Sequence, residues 1–576
     1  MSVKIYDLEE LYNGTLFKRR VFRRAEKPLT FLVDTAKLAL RKGISVSEPK
    51  QEENNLRLQH HSRVSRGAVV AAIAAGSLLI VSALSSATAA TPSSARKSAD
   101  KLVLAALQDP GTLDVVKQNQ TALVLWLPGN VYETLVTNKP DGTAGPGVAK
   151  SWVISKDQLT YTFTIRDAKF SDGAAITADD VVYSLNAMKD GPIGSYKGPF
   201  VQVDTIVAKD AKTVVIKLKQ SSRSFFRGMG EMSGIIQPAA GEATRATAPI
   251  GSGPYVLKEY VPNDRLVFIP NTLYSGKAPS LKEVTVKIMT DGNAALAALK
   301  AGEIDSFPVI TIDLWERIGK QNFDKDFTLQ NYPQGGEMLY MLFNSNKAPY
   351  NDPKLRHALA KMIDRKAFNV AYGAPKGSSD PTCGYGLQNT PWFAVESKST
   401  CVDAYDPKKG TAELKAAGYS KTALDYVSLT DVPDLSLPAT LQIAQLKKAG
   451  VTIKRNAISL AEYSKTIFSG RPQQFGVSIM SDPALFTQFS CTDKTKAGWH
   501  TYCSKELTDL IVKADGAKTK ASYERYMKQA AAVLQKDAYI VPILAKAGVG
   551  LWQPDLKGWK APRIFVEQNF ADLSWK

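Results

Sequence analysis

Tyr161-Thr162-Phe163-Thr164-Ile165-Arg166, then Phe170-Ser171-Asp172-Gly173, then Thr177-Ala178-Asp179-Asp180-Val181-Val182-Tyr183-Ser184 is the stretch that decides the architecture. The first segment alternates threonine with aromatic and branched residues, the period of a half-buried strand. The second is a turn, because Ser171 and Asp172 bond local backbone and Gly173 tolerates positive φ. The third opens a helix. Thr177 is a good N-cap, and Asp180 stands where its carboxylate completes a reciprocal cap. The spacing predicts a helix from there through Met188. Strand, turn and helix in so short a run are the units of a mixed α/β fold.

The same mixture continues outward. Residues 101–107 read as a short buried strand, ended by Gln108-Asp109-Pro110-Gly111. Residues 213–218 and 281–288 are further half-buried strands. Helices are predicted over 293–301, 353–369, 441–449 and 522–536, the last two with a 3.6-residue apolar stripe. No fixed period links these units, which excludes a solenoid or propeller and leaves α/β lobes.

Composition agrees. The chain has 576 residues, 44% hydrophobic and 22% charged. At roughly 100–200 residues per domain it holds several lobes. A single apolar run of bilayer length excludes a polytopic transporter. Four cysteines exclude a disulfide miniprotein and a zinc array. The formal charge is +18, with 16 basic and 9 acidic residues in the first hundred and 57 and 46 in the rest. Beyond residue 100 the lysines are scattered among Ala, Thr and Asp, without the stripe that marks nucleic-acid binding. No nucleic-acid partner is expected; the excess reads as a solvated basic surface.

Residues 1–66 form a leader with a basic cluster, Lys18-Arg19-Arg20 and Arg23-Arg24. Arg63 and Arg66 then precede an apolar run from Ala68 to Leu84, followed by Ser85-Ser86-Ala87-Thr88-Ala89-Ala90. A positive start, an apolar middle and an A-x-A site are the parts of a secretory signal, so 67–89 is expected to be a signal peptide cleaved after Ala89 or retained as an anchor. In either case the remainder is exported, to the periplasm or cell surface. A translation start at Val64 would give a leader of ordinary length. In an oxidising compartment disulfides persist. Four cysteines allow three pairings, and the sequence-local one, Cys383–Cys401 with Cys491–Cys503, is simplest. Only Cys503 and His500 come near each other, too few ligands for a metal site, and no cofactor motif occurs.

Further segments follow in order. Val131 to Val136, Gly145-Pro146-Gly147-Val148-Ala149 and Ser151-Trp152 flank the opening stretch. Gly251-Ser252-Gly253-Pro254-Tyr255, Asn271 to Tyr274, and Leu299-Lys300-Ala301-Gly302-Glu303-Ile304-Asp305 come next. Phe343-Asn344, Pro349-Tyr350-Asn351-Asp352, Arg356-His357-Ala358-Leu359 and Ile363-Asp364-Arg365 complete the set. In combination, over roughly residues 100–576, the chain resembles the extracellular solute-binding proteins of the dipeptide, oligopeptide and nickel type. Physically these residues are mostly turns, caps and core, and such a frame does not name a ligand.

The resemblance implies a periplasmic-binding-protein-like α/β fold of two lobes, with an extra subdomain in the first lobe and two hinge crossings. Lobe I is expected over 100–335, lobe II over 336–539, and a return to lobe I over 540–576. The hinges are placed at 332–336, where Pro333 and Gly335-Gly336 cluster, and at Val541-Pro542. A small solute, foremost a short peptide, would bind in the cleft and pass to the membrane permease of an ABC importer, the chain itself acting as a monomer. A nickel chelate, haem, sugar or opine-like solute is the alternative.

The resemblance also implies contact residues: Gln118, Asn119 and Gln120 on one wall, Tyr340, Ser478, Ile479, Met480 and Asp482 on the other. Backbone of the 477–483 segment suits an added ligand strand. Peptide-binding relatives place an aspartate here for the peptide's α-amino group; in an ungapped match Ile479 takes that position, and Asp482 matches a later acidic residue. Tyr385, Trp392 and Phe393 flank the cleft or pack in the core. A secreted hydrolase is a third reading, but no P-loop, zincin or nucleophile-elbow motif occurs, and only His357 and His500 lie in the exported body. Chemistry on the ligand is therefore not expected.

Overall fold

The alternation of 101–107 becomes strand β1, Lys101–Ala106, whose Leu102 and Leu104 are buried. The structure is a computed structural model. It describes residues 99–118, 125–139, 143–345, 347–375, 377–385, 401–460, 462–463, 475–481, 504–559 and 569–576. The leader, the apolar run 67–89, Asn119, Gln120, Trp392, Phe393, Asp482, Cys491, His500 and Cys503 lie outside the described residues.

In chain order the first lobe's strands are β1, β2 (Ala149–Ile154), β3 (Thr160–Ile165), β4 (Val203–Asp210), β5 (Thr213–Leu218), β6 (Tyr255–Val261), β7 (Arg265–Pro270), β8 (Glu283–Ile288) and β9 (Ser306–Phe307). Strands β10 (Thr328–Phe343), β11 (Leu424–Leu429), β12 (Ile453–Ile458), β13 (Phe475–Ser481) and β14 (Ile540–Trp552) follow. An 11-stranded sheet runs β12-β11-β13-β10-β14-β9-β1-β8-β7-β6, with the short strand Ser379–Pro381 added beside β14. A separate four-stranded sheet, β2-β3-β5-β4, forms the extra subdomain.

Two strands belong to both halves. The beginning of β10, Thr328–Tyr332, pairs with the end of β14, Gly548 to Trp552, where β14 also meets β9. The later part of β10 pairs with β13 and with the beginning of β14. Strands β9, β1, β8, β7 and β6 therefore lie on one side of the crossing, and β13, β11 and β12 on the other. This is a two-lobed α/β fold with two crossings.

The pairing places the crossings. Tyr332 faces Gly548 and Glu337 faces Lys546, so residues 333–336 oppose residue 547 alone. That bulge coincides with the Pro333/Gly335-Gly336 cluster. On β14 the crossing is at Lys546–Gly548, not at Val541-Pro542. Those two residues pair with Met341 and Tyr340 inside the second lobe. Pro542 sits at a register shift between Leu339 and Tyr340. A proline has no N–H for the ladder, so it made an irregularity there and not a hinge. After the crossing the chain returns to the first lobe: Phe570 N–H donates to Asn130 Oδ1 at 2.8 Å and Trp575 Nε1–H to the Lys101 carbonyl at 2.7 Å.

The helices that matter here are α1 (Ala178–Asp190), α2 (Arg223–Gly228), α3 (Gly292–Ala301), α4 (Pro353–Lys361), α5 (Arg365–Tyr372), α6 (Pro407–Ala416), α7 (Pro433–Lys448), α8 (Lys505–Asp515) and α9 (Lys520–Asp537). Helix α1 carries the expected box: Thr177 Oγ1 accepts from Asp180 N–H, and the Asp180 carboxylate accepts from Thr177 N–H. The helix expected over 353–369 is two. Asp364 ends the first by capping the second, accepting from Lys366 and Ala367 N–H. In the second lobe the two faces of β10 are covered differently. Leu339 and Met341 pack toward α4, α5 and α7, while Met338, Tyr340 and Leu342 pack under the α8–α9 hairpin.

Candidate functional site

The crossing strands carry a charged cluster. Lys546, alone among the apolar residues of β14, is only 5% exposed. Its ammonium lies 3.0 Å from Glu337, its register partner on β10, and 2.6 Å from Asp434 in the first turn of α7. Burial disfavours the ammonium, but the two carboxylates outweigh that and hold its pKa above the ordinary lysine value. Asp434 uses its other oxygen to accept from Ile312 N–H at 3.0 Å, in the first-lobe segment leading to β10. Beside it Trp315 packs edge-on against Tyr372 of α5, ring centroids 5.4 Å apart. The sequence reading missed this cluster. A lone lysine inside a long apolar run was the available signal.

The second-lobe wall is built from β13 on β10. Ser478 lies opposite Tyr340, Ile479 opposite Leu339, and Met480 opposite Met338. The structure thus brings four of the expected residues onto one strand pair. The Tyr340 side chain is fully buried beside Met338, Leu342 and Tyr539. Tyr385 joins the same cluster and donates its hydroxyl to the Ile540 carbonyl at 2.8 Å, so it packs in the core. On its other edge β13 meets β11 at the single pair Val427–Gly476, so no described strand pairs with that edge from Val477 to Ser481.

Gln118 ends the turn after β1, its N–H bonded to the Asp114 carbonyl at 3.1 Å. Its Oε1 is buried and accepts no hydrogen bond among the described residues. A buried acceptor left so is unfavourable unless something else fills the position. Nearby in sequence, Asp114 forms a buried ion pair with Arg245 at 3.4 Å.

The signature residues serve the frame. Gly251 and Gly253 lie against the Val131 and Asn130 carbonyls, where a Cβ would approach within 2.0 and 2.3 Å. Gly302 adopts φ +72° to end α3, and the Asp305 carboxylate accepts from Val103 N–H at 2.8 Å, tying that motif to β1. Arg356 donates to the Tyr350 and Asp537 carbonyls, and Arg365 to those of Pro542 and Asp403. His357 lies between the Asp403 carboxylate, 2.9 Å from Nδ1, and the Lys536 carbonyl, 3.1 Å from Nε2. Cys383 and Cys401 are disulfide-bonded, Cα atoms 5.6 Å apart. Among the described residues no cluster of His, Cys, Asp and Glu has the make-up of a metal site, and no helix is long and apolar enough to cross a membrane.

The comparisons with known proteins fit this geometry. Residues 143–499 match the model of the bacterial extracellular solute-binding proteins, family 5. The chain is 26% identical to the probable D,D-dipeptide-binding periplasmic protein DdpA of Escherichia coli over 493 residues, which cover 80% of this chain and 91% of that one. Its fold is similar to that of the periplasmic binding protein DppA of Helicobacter pylori in complex with the peptide STSA, with a TM-score of 0.71, 22% identity, and coverage of 82% and 98%. It is equally similar to NikA of Brucella suis in complex with Fe(III)-EDTA, with a TM-score of 0.72, 21% identity, and coverage of 83% and 100%. With a family model spanning most of the chain and two lobes hung on two crossing strands, this protein belongs to the bacterial extracellular solute-binding proteins, family 5.

Proposed function

We propose that this chain captures a short peptide between its lobes outside the cytoplasmic membrane and delivers it, unaltered, to the permease of an ABC importer. The observation that carries the peptide reading is the edge of β13 from Val477 to Ser481, which no described strand covers. An extended ligand adds to such an edge through main-chain hydrogen bonds, with alternate side chains directed into pockets. Gln118, whose buried Oε1 accepts no hydrogen bond among the described residues, supports the reading that it forms the facing wall together with Asn119 and Gln120. Ser478, Ile479 and Met480 supply the strand. In this reading Asp482, which lies outside the described residues, would meet a ligand amine, and Tyr340 backs the wall from the core. The D,D-dipeptide name of the Escherichia coli relative and the peptide held by the Helicobacter protein favour the same ligand class. The chelate held by NikA keeps a non-peptide solute as the alternative.

The export reading rests on the sequence of 67–89 and on the family. The absence of chemistry rests on the family as well: binding needs only buried contacts and a few fixed polar groups. Native mass spectrometry of the purified chain tests the proposal. An intact copurified peptide, or ligand-dependent thermal stabilisation by peptides recovered uncleaved, is the expected result. Copurified chelate or haem with no response to peptides overturns the peptide reading, and cleavage products overturn the receptor reading.

A further inference from the structure

Asp515 occupies the last position of α8, the negative end of its own helix dipole, where a carboxylate is unfavourable. Its hydrogen bonds among the described residues come from the other lobe. Ser224 N–H donates to Oδ1 at 2.7 Å, and Ser222 Oγ donates to Oδ2 at 2.7 Å. Both serines belong to the start of α2 in the extra subdomain, where Ser222 also caps the helix by accepting from Phe225 N–H. The neighbouring Arg223 donates to the Ala517 carbonyl at 2.7 Å, and its guanidinium lies over the Tyr523 ring, 5.3 Å from the centroid.

The two sides are anchored to different bodies. Helix α2 is held by Phe225 and Phe226, which pack on Tyr161, Phe163 and Trp152 of the four-stranded sheet. The α8–α9 hairpin is held by Leu507, Ala514, Met527 and Leu534 against the second-lobe part of β10. The tip of the hairpin thus reaches across to the subdomain through polar contacts.

The Asp434 contact also joins the lobes, but from the opposite face of β10 and bonded to Lys546 of the crossing itself. A rotation about the bulge leaves that contact near its axis. Among the described residues the hairpin tip has no such tether to the crossing. We propose that Asp515 is a closing latch: it meets the amide end of α2 only when the lobes are together, and it biases the chain toward the closed form. The carboxylate finds no donors at its own helix end among the described residues and is satisfied by the other lobe, so closure adds hydrogen bonds that opening removes.

This rests on the two-lobe hinge reading, and the test separates the two. Radius of gyration by solution scattering is measured on the wild type and on Asp515→Asn and Asp515→Ala, each as purified and after unfolding, dialysis and refolding to strip any guest. Hydrogen exchange is followed in 221–226. Loss of charge-assisted bonds is expected to shift the open-to-closed ratio by about tenfold or more. The stripped Asp515→Ala protein should be larger than stripped wild type, and the Ser224 amide should exchange faster by a similar factor. Ser222→Ala should give a smaller shift in the same direction. Equal radii and unchanged exchange in all variants, while wild type still changes on stripping, overturn the latch and leave the hinge. Faster exchange with unchanged radius, or a lowered melting temperature with unchanged radius, marks a fixed contact and also overturns it. A wild type and variants of one invariant radius defeat the hinge as well.

Discussion

Glu337 and Lys546 face one another across the two crossing strands, directly beside the bulge, and form an ion pair at 3.0 Å. The pairing ties together the two segments through which any motion of one lobe against the other must pass. Asp434 makes the pair a triad and extends it to Ile312.

Replacing Lys546 with Met should therefore destabilise the fold. The change leaves two carboxylates facing each other without a cation. Removing one partner of a fully buried pair costs about 3–5 kcal/mol. Glu337 and Asp434 retain 22% and 29% side-chain exposure, so the loss should be nearer ~2 kcal/mol here by the same principle. Urea unfolding measures it, and the double variant Lys546→Met/Glu337→Gln should recover part of the loss. No loss in the single variant would show that water already solvates the site.

His357 gives a pH dependence. Its two ring nitrogens face acceptors, the Asp403 carboxylate and the Lys536 carbonyl, which only the protonated ring satisfies together. The Asp403 hydrogen bond leads in raising its pKa above 6.5, against burial and the nearby Lys361. A group raised in the folded state adds stability in full below its unfolded value and loses it as pH rises through the folded value. Unfolding free energy should fall as pH rises above about 6.5, the ordinary histidine value, and the fall should be smaller in His357→Gln. An identical slope in the variant would assign the dependence to other groups.

Thr177→Ala should cost about 1 kcal/mol, the ordinary price of an N-cap. The hydroxyl accepts from Asp180 N–H, and its loss leaves that amide without its cap. Thr177→Ser should restore most of the stability in thermal melts. If the serine variant melts with the alanine one, the methyl group and not the cap was the contribution.

Reduction of Cys383–Cys401 should lower the melting temperature. The bond closes a loop of sequence separation 18, for which chain entropy predicts about 3 kcal/mol. Cys383→Ala/Cys401→Ala should melt with the reduced protein. A melting temperature indifferent to reductant would mean that the neighbouring packing already constrains the loop.

Much of the frame was legible locally. The capping box at Thr177 and Asp180, the strands 101–106 and 213–218, and the helix ending at Gly302 follow from residues a few positions apart. Pro333 and Gly335-Gly336 were a local signal as well, and they coincide with the bulge between Tyr332 and Glu337, although the strand runs on through them. The second crossing was misplaced, since a proline alone cannot say whether a strand bends at it or bulges around it. Pro542 is accommodated opposite Tyr340, and the crossing comes later at Lys546. Of the contact residues, Tyr340 was placed beside Ser478 by the fold, yet its ring is buried.

Hydrophobic periodicity, caps and turn residues act over one or two turns of chain, and so the element list and the motif-bearing frame were decided by the sequence alone. The partners of Lys546 and Asp515 were not. Lys546 meets Asp434 across 112 positions and Asp515 meets Ser222 across 293. A charge's role depends on what burial and sheet pairing bring to it through space, and only the tertiary structure supplies that.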